Sequence, residues 1–293
     1  MKEKEKWIGS SVLLLAAVIW GVGYVVISDS LTLVDVHYLM SYRYLLATAG
    51  MVVVFWRQLP NITYPMVWHG AVLGALLYFS QYVQTVACGY TTAGKVSFIT
   101  GLYMVLVPLC GAVAFRQKLR RGHWIALCLA LPGLFLLTGA GTGVNCGDAL
   151  ALAGSLGFAI HMLCSERYVA QSSAVLLSLL QFTWAAVFST AVLLLSGRPL
   201  WIQEMTAGIG MRFLFMGLVS TLLGFLLQMW GQEQVPASLA SMLLATEALF
   251  GLFFSVLLLG ETLTSRMALG GSLMLAAIFV AERAAGLSLS SIQ

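Results

Sequence analysis

Charge is what this sequence lacks most. Of its 293 residues only 9% are charged, against 60% that are apolar. An ordinary soluble domain carries roughly 25% charged residues, and without them a chain of this length cannot cover its surface with groups that water solvates. Fifteen Lys and Arg against eleven Asp and Glu leave a net charge of +4. This composition argues against a soluble enzyme, a disordered chain, a coiled coil and a nucleic-acid binder. Patterned cysteine is missing too. Cys88, Cys110, Cys128, Cys146 and Cys164 are dispersed and odd in number, with no C-x-x-C pair, so neither a disulfide framework nor a metal site is expected. Four of them lie in apolar runs, where a thiol behaves as a small hydrophobe. There is no G-x-S-x-G, no H-E-x-x-H and no Walker A string. Gly139, Gly141 and Gly143 follow no strand and complete no dinucleotide fingerprint; they read as an outer loop. No cofactor is expected.

Long hydrophobic runs are what the chain has in excess. About 20 apolar residues span a bilayer as a helix, and ten such stretches run over 8–28, 36–56, 67–86, 92–115, 123–142, 147–165, 174–196, 211–230, 235–258 and 266–286. A barrel would show short alternating segments instead, and a helix satisfies its own backbone in lipid. The expected fold is an all-α polytopic membrane protein of ten transmembrane helices. The first stretch follows Lys2, Lys4 and Lys6, exceeds a signal-peptide core in length and has no small-x-small cleavage site, so it reads as a retained span. With the N-terminus in the cytoplasm, Lys2, Lys4, Lys6, Arg57, Arg116, Lys118, Arg120, Arg121, Arg167 and Arg283 lie inside. Only Arg198, Arg212 and Arg266 lie outside. Positive residues favour the inside, so both termini are expected to be cytoplasmic.

A repeat fixes the expected architecture further. A shift of 144 positions aligns Gln84 with Gln228, Ala93 with Ala237 and Ser97 with Ser241, and sets Gln117 opposite Glu261. Each half opens with a span rich in small residues, followed by one with a central polar residue, Arg43 or Gln181. Five spans is an odd number, so the second copy enters the membrane from the opposite face. Such inverted repeats commonly alternate access around a midplane site. The strings Thr91-Thr92-Ala93-Gly94-Lys95 through Pro108, and Val235-Pro236-Ala237-Ser238-Leu239 through Glu261, resemble the two copies of the EamA domain of the drug/metabolite transporter superfamily. The resemblance covers nearly the whole chain, with repeats at 8–142 and 147–286. It implies a 5+5 inverted bundle around a central cavity, moving small metabolites, often outward, in a bacterial cytoplasmic (inner) membrane. Gln117 stands where the first copy often carries an acid.

Charged residues at membrane depth cost roughly 2.5–3.5 kcal/mol on insertion scales and usually face a cavity or a partner. Arg43 lies about eight residues into its span; it suits bidentate capture of a carboxylate or pairing with another buried group. Glu247, near the middle of the ninth span, suits an amine, a proton relay or a partnership with Arg43. Lys95 enters the fourth span by one turn and either snorkels to the interface or stands at the outer mouth of the pathway, a placement supported by a similar string in one bacterial branch of the family. Glu261 reads as a solvated loop acid.

Polar and aromatic stripes add to this set. Tyr78, Gln81, Tyr82 and Thr85 share one face of the third span, as Trp20 and Tyr24 do in the first. Such stripes serve packing or a cavity wall, and their depth favours the wall. Tyr103, Gln181, Trp184 and Gln228 are weaker members of the same group. His161 either titrates near neutrality or makes one interhelical hydrogen bond. Gly70 and Gly74 form a G-x-x-x-G packing motif, and Pro108 and Pro132 are candidate bends. The expected function is secondary transport of a small organic metabolite, amino-acid-like or drug-like, by alternating access, with export favoured. An uptake carrier for a vitamin or amino acid is the runner-up, and an intramembrane enzyme a remote third. Proton coupling through Glu247 and substrate exchange fit the residues equally well. The expected partners are a small-molecule substrate and the lipid bilayer, with no nucleic acid; oligomeric state is not legible here.

Overall fold

In the computed structural model, residues 3–115, 121–138, 145–260 and 262–286 are described. Gln117, Glu261 and the loop glycines at 139, 141 and 143 lie outside them. The described residues are helical and contain no strand. In chain order the helices are α1 (Glu3–Ser30), α2 (Val36–Phe55), α3 (Tyr64–Cys88), α4 (Ala93–Thr100), α5 (Tyr103–Phe115), α6 (Arg121–Thr138) and α7 (Cys146–Val169). They continue as α8 (Ala174–Leu195), α9 (Ala207–Leu214), α10 (Gly224–Gln232), α11 (Ala237–Leu244), α12 (Glu247–Leu259) and α13 (Ser265–Gly286). A π-helical segment, Phe215–Leu223, joins α9 to α10.

Eight stretches among the described residues are long and apolar enough to cross a membrane. They are α1, α2 with the 3-10 turn that follows it, α3, α4 with α5, α7, α8, α9 through α10, and α11 with α12. The remaining two expected spans correspond to α6 and α13, which pack against each other. In α6 the apolar helix is short, Trp124–Gly133. Arg266, Glu282 and Arg283 all belong to α13.

The helix starts are written in local chemistry. Asp35 caps α2 by accepting from the His37 amide at 2.9 Å. Thr92 does the same for α4 through Lys95 N, and Asn145 with Asp148 forms a reciprocal capping box at the start of α7. Gly70 and Gly74 let α3 press directly on α8: a Cβ on Gly74 would stand 2.7 Å from the Gln181 carbonyl and from the Trp184 Cβ. That is the close approach expected of the motif.

The shift of 144 residues reappears in the backbone. Ala93–Thr100 and Tyr103–Phe115 map onto Ala237–Leu244 and Glu247–Leu259. Both spans break through the same tightened turn: Leu102, Met104 and Val105 bond three residues back in the first, and Thr246, Ala248 and Leu249 in the second. Pro108 is not the bend. It lies inside α5, downstream of the break, and Leu252 stands at its position in the second copy, which breaks identically. Pro132 likewise lies inside α6.

Candidate functional site

The two broken spans pack against each other at their breaks. Gly251 of α12 meets Ser97 of α4 so closely that an added Cβ would fall 2.6 Å from the Ser97 side chain. At such a break the last carbonyls of the first half-helix lose their helical donors. One of them, Thr100 O, accepts from the Ser155 hydroxyl of α7 at 2.8 Å. Interrupted helices at membrane depth are tolerated where backbone is buried in protein or lines a cavity.

A narrow cavity, with about 40 Å³ of space for the centre of a water molecule, lies beside these breaks. Its wall takes Trp20 and Tyr24 from α1, Arg43 from α2, Gln81 and Gln84 from α3 and Tyr103 from α5. The second half supplies Phe158 and Met162 of α7, Ser220, Phe225, Gln228, Leu244 and Glu247. The structure therefore brings Arg43, Glu247, Trp20, Tyr24, Gln81, Tyr103 and Gln228 around one space. Aromatic walls with a few convergent polar groups are characteristic of small-molecule sites.

The two charges do not pair with each other. Arg43 is 1% exposed and donates from Nε to the Thr221 hydroxyl at 3.0 Å, while its guanidinium lies 5.7 Å from the centre of the Tyr44 ring. Glu247 is 3% exposed and opens α12. Tyr24 donates to its Oε1 at 3.4 Å and accepts from Gln84 Nε2 at 2.9 Å. Gln84 also donates to the Thr100 hydroxyl at 3.2 Å, tying the acid to the other break. The Tyr103 hydroxyl faces the same carboxylate without reaching hydrogen-bond geometry. Under the repeat shift Tyr103 stands where Glu247 stands, so two equivalent first turns present a phenol and an acid to one cavity.

Two expected site residues lie elsewhere. Lys95 neither snorkels nor lines the cavity: its Nζ meets Asp148 Oδ2 at 3.0 Å, with both residues buried. The same Asp148 oxygen also accepts from the Asn145 amide at 3.1 Å. Tyr78 packs on Tyr82, which stacks with His37, so only Gln81 of that stripe reaches the cavity. Gln81 accepts there from Tyr44 at 2.9 Å. His161 and Gln181 share one interhelical hydrogen bond of 2.9 Å, and Trp184 stacks on Phe188.

Ion pairs and acid caps join helix ends at the two ends of the bundle. At one end Arg198 meets Asp35 at 2.6 Å and Arg212 meets Asp29, joining the segment after α8 to the start of α2 and the last turn of α9 to the end of α1. At the other end Glu166 accepts from the Ala237 amide at 3.1 Å and Glu233 from the Ala174 amide at 3.2 Å, so each acid caps a helix start. Burial pushes the Glu233 carboxyl above the usual carboxylate range, against the lowering effect of the Ala174 amide.

Sequence reasoning missed several participants. Gln84 was visible as a repeat partner of Gln228, though nothing in its own span marked it as facing the acid. Thr221, Phe158, Met162 and Phe225 carried no signal, since serine-like and apolar residues abound in every span; Asp148 stands at the very start of the expected sixth span, where an acid reads as part of a helix start.

Interrupted helices around a cavity walled by buried charge and aromatic rings are the arrangement of many membrane transporters. The comparisons make that class specific. The model of the EamA-like transporter family matches residues 7–139 and again 145–282. The chain belongs to this family of membrane transporters. It is 27% identical to an uncharacterized transporter of Archaeoglobus fulgidus, over 72% of this chain and 67% of the relative. It is 28% identical to the uncharacterized transporter YwfM of Bacillus subtilis, over 83% of each. It is also 28% identical to the threonine/homoserine exporter RhtA of Escherichia coli, over 68% of this chain and 64% of that protein. A crystal structure superposes with a TM-score of 0.71 at 15% identity, covering 98% of this chain and 100% of the other, which shows a shared fold.

Proposed function

We propose that the protein is a secondary transporter that exports a small organic metabolite, amino-acid-like in its charges, across the bacterial inner membrane by alternating access. The supporting observation is the cavity between two broken helices in which Arg43 and Glu247 are buried yet not paired with each other. A zwitterion answers both: its carboxylate suits the guanidinium and its ammonium the acid. RhtA, a relative at 28% identity, carries export of threonine and homoserine in its name, which favours that substrate class and direction. In this reading ten helices form a 5+5 inverted repeat over 8–142 and 147–286, with both termini in the cytoplasm. The ends of the bundle then alternate as gates, the Arg198–Asp35 and Arg212–Asp29 pairs closing the outer one.

Counterflow of radiolabelled L-threonine in proteoliposomes tests the reading, using imposed pH gradients to separate proton coupling from exchange. Saturable counterflow that is lost in Arg43→Gln and Glu247→Gln supports it. Its absence for L-threonine and for a panel of other amino acids overturns the amino-acid assignment. Stimulation by a pH gradient that disappears in Glu247→Gln assigns the proton to that acid; indifference to the gradient assigns exchange.

A further inference from the structure

One helix of the second half departs from its counterpart in the first. α3 is α-helical throughout, Tyr64–Cys88, whereas its counterpart under the repeat shift contains the nine-residue π segment Phe215–Leu223. π turns are rare beyond a single turn and recur at functional sites. Two consecutive residues of this segment hold the two largest polar-tipped side chains of the cavity. The Ser220 carbonyl accepts from Trp20 Nε1 at 2.9 Å, and the Thr221 hydroxyl accepts from Arg43 Nε at 3.0 Å. Thr221 sends its own proton to the Met216 carbonyl, five residues back, at 2.7 Å, which leaves its lone pairs for Arg43. Gly217 admits the α2 backbone here, since a Cβ on it would lie 3.1 Å from the Arg43 carbonyl.

The Nε hydrogen bond restrains the guanidinium. Its Nη1 is buried and has no hydrogen-bond partner, in a side chain that lines the cavity. A buried donor without a partner is costly and is an exception that calls for an explanation such as an unseen ligand. We propose that Arg43, oriented by Thr221, forms the carboxylate subsite of the transporter, with Thr221 as a positioning residue that touches Arg43. Glu247 in the same cavity disfavours a dianionic phosphate, so the ligand class is a monocarboxylate. The inference deepens the transport reading and rests on it.

The test compares Thr221→Val, which keeps the shape and loses the acceptor, with Thr221→Ser, which keeps the hydroxyl. In L-threonine counterflow, Thr221→Val is expected to raise the half-saturation concentration about tenfold with little change in maximal rate, the size of one hydrogen bond to a charged group. Thr221→Ser should stay near wild type, and L-threoninol, which lacks the carboxylate, should fail to compete. Wild-type behaviour of Thr221→Val, or competition by L-threoninol equal to that of L-threonine, overturns the subsite. Should the wild type move no L-threonine, the amino-acid reading fails, and phenylglyoxal modification of Arg43 followed by mass spectrometry still decides the clamp. Faster modification in Thr221→Val than in wild type and Thr221→Ser upholds it; equal rates overturn it.

Discussion

Lys95 and Asp148 meet at 3.0 Å and are 7% and 4% exposed. Arg43 and Glu247 are buried as deeply, yet each is held by a neutral neighbour, Thr221 or Tyr24. Both sets place a cation and an acid inside an apolar bundle, where an isolated charge is expensive. The first set discharges that cost internally: the salt bridge ties the start of α4 to the start of α7, and the Asn145 capping box adds a further donor. The second set leaves its opposite charges apart across a cavity. Burial alone therefore does not mark a binding residue in this protein. What distinguishes the site is charge left uncompensated by charge, at the point where two helices break.

Removing one member of each set should separate these roles, and the largest effect belongs to the closed pair. Lys95→Met leaves Asp148 buried alone, and losing one partner of a buried pair costs about 3–5 kcal/mol. Denaturation in detergent should show that loss, and the double variant Lys95→Met/Asp148→Asn should recover most of it. Glu247→Gln should instead leave stability nearly unchanged while transport falls about 10- to 100-fold, the range of a lost charge-assisted contact. Combining it with Arg43→Gln should restore nothing, because the two residues serve the substrate rather than each other. Tyr103→Phe probes the repeat-equivalent of Glu247. Its hydroxyl makes no formed hydrogen bond, so transport should fall by no more than about fivefold, about 1 kcal/mol. Smallest of all should be Arg198→Ala. Its pair with Asp35 is about one-third exposed on both sides, and exposed pairs contribute about 0–1 kcal/mol, less in high salt.

These contrasts also explain what could be read from the chain itself. Scarce charge and long apolar runs are enough for a helical membrane protein, and the 144-residue shift sets the fourth span against the ninth, but nothing in that pattern shows that either is broken. Arg43 and Glu247 stood out because charge at membrane depth is rare. Lys95 stood out for the same reason and belongs to a salt bridge, since its partner Asp148 sits 53 residues away in sequence and no local pattern links them. Tyr78 shares a helical face with Gln81, but helix rotation turns only Gln81 into the cavity. The breaks themselves carry no proline at the bend; they are tightened turns in which Leu102 and Thr246 bond three residues back. Thr221 was invisible because its role depends on a π segment, and no residue type announces one.

The comparison reduces to one direct measurement: L-threonine counterflow in proteoliposomes carrying either Lys95→Met/Asp148→Asn or Arg43→Gln/Glu247→Gln, each at equal reconstituted protein. The account predicts that the first double variant transports at a rate near wild type and the second is silent while remaining folded. Transport retained by the second and lost by the first would contradict it, and would move the working charges from the cavity to the salt bridge.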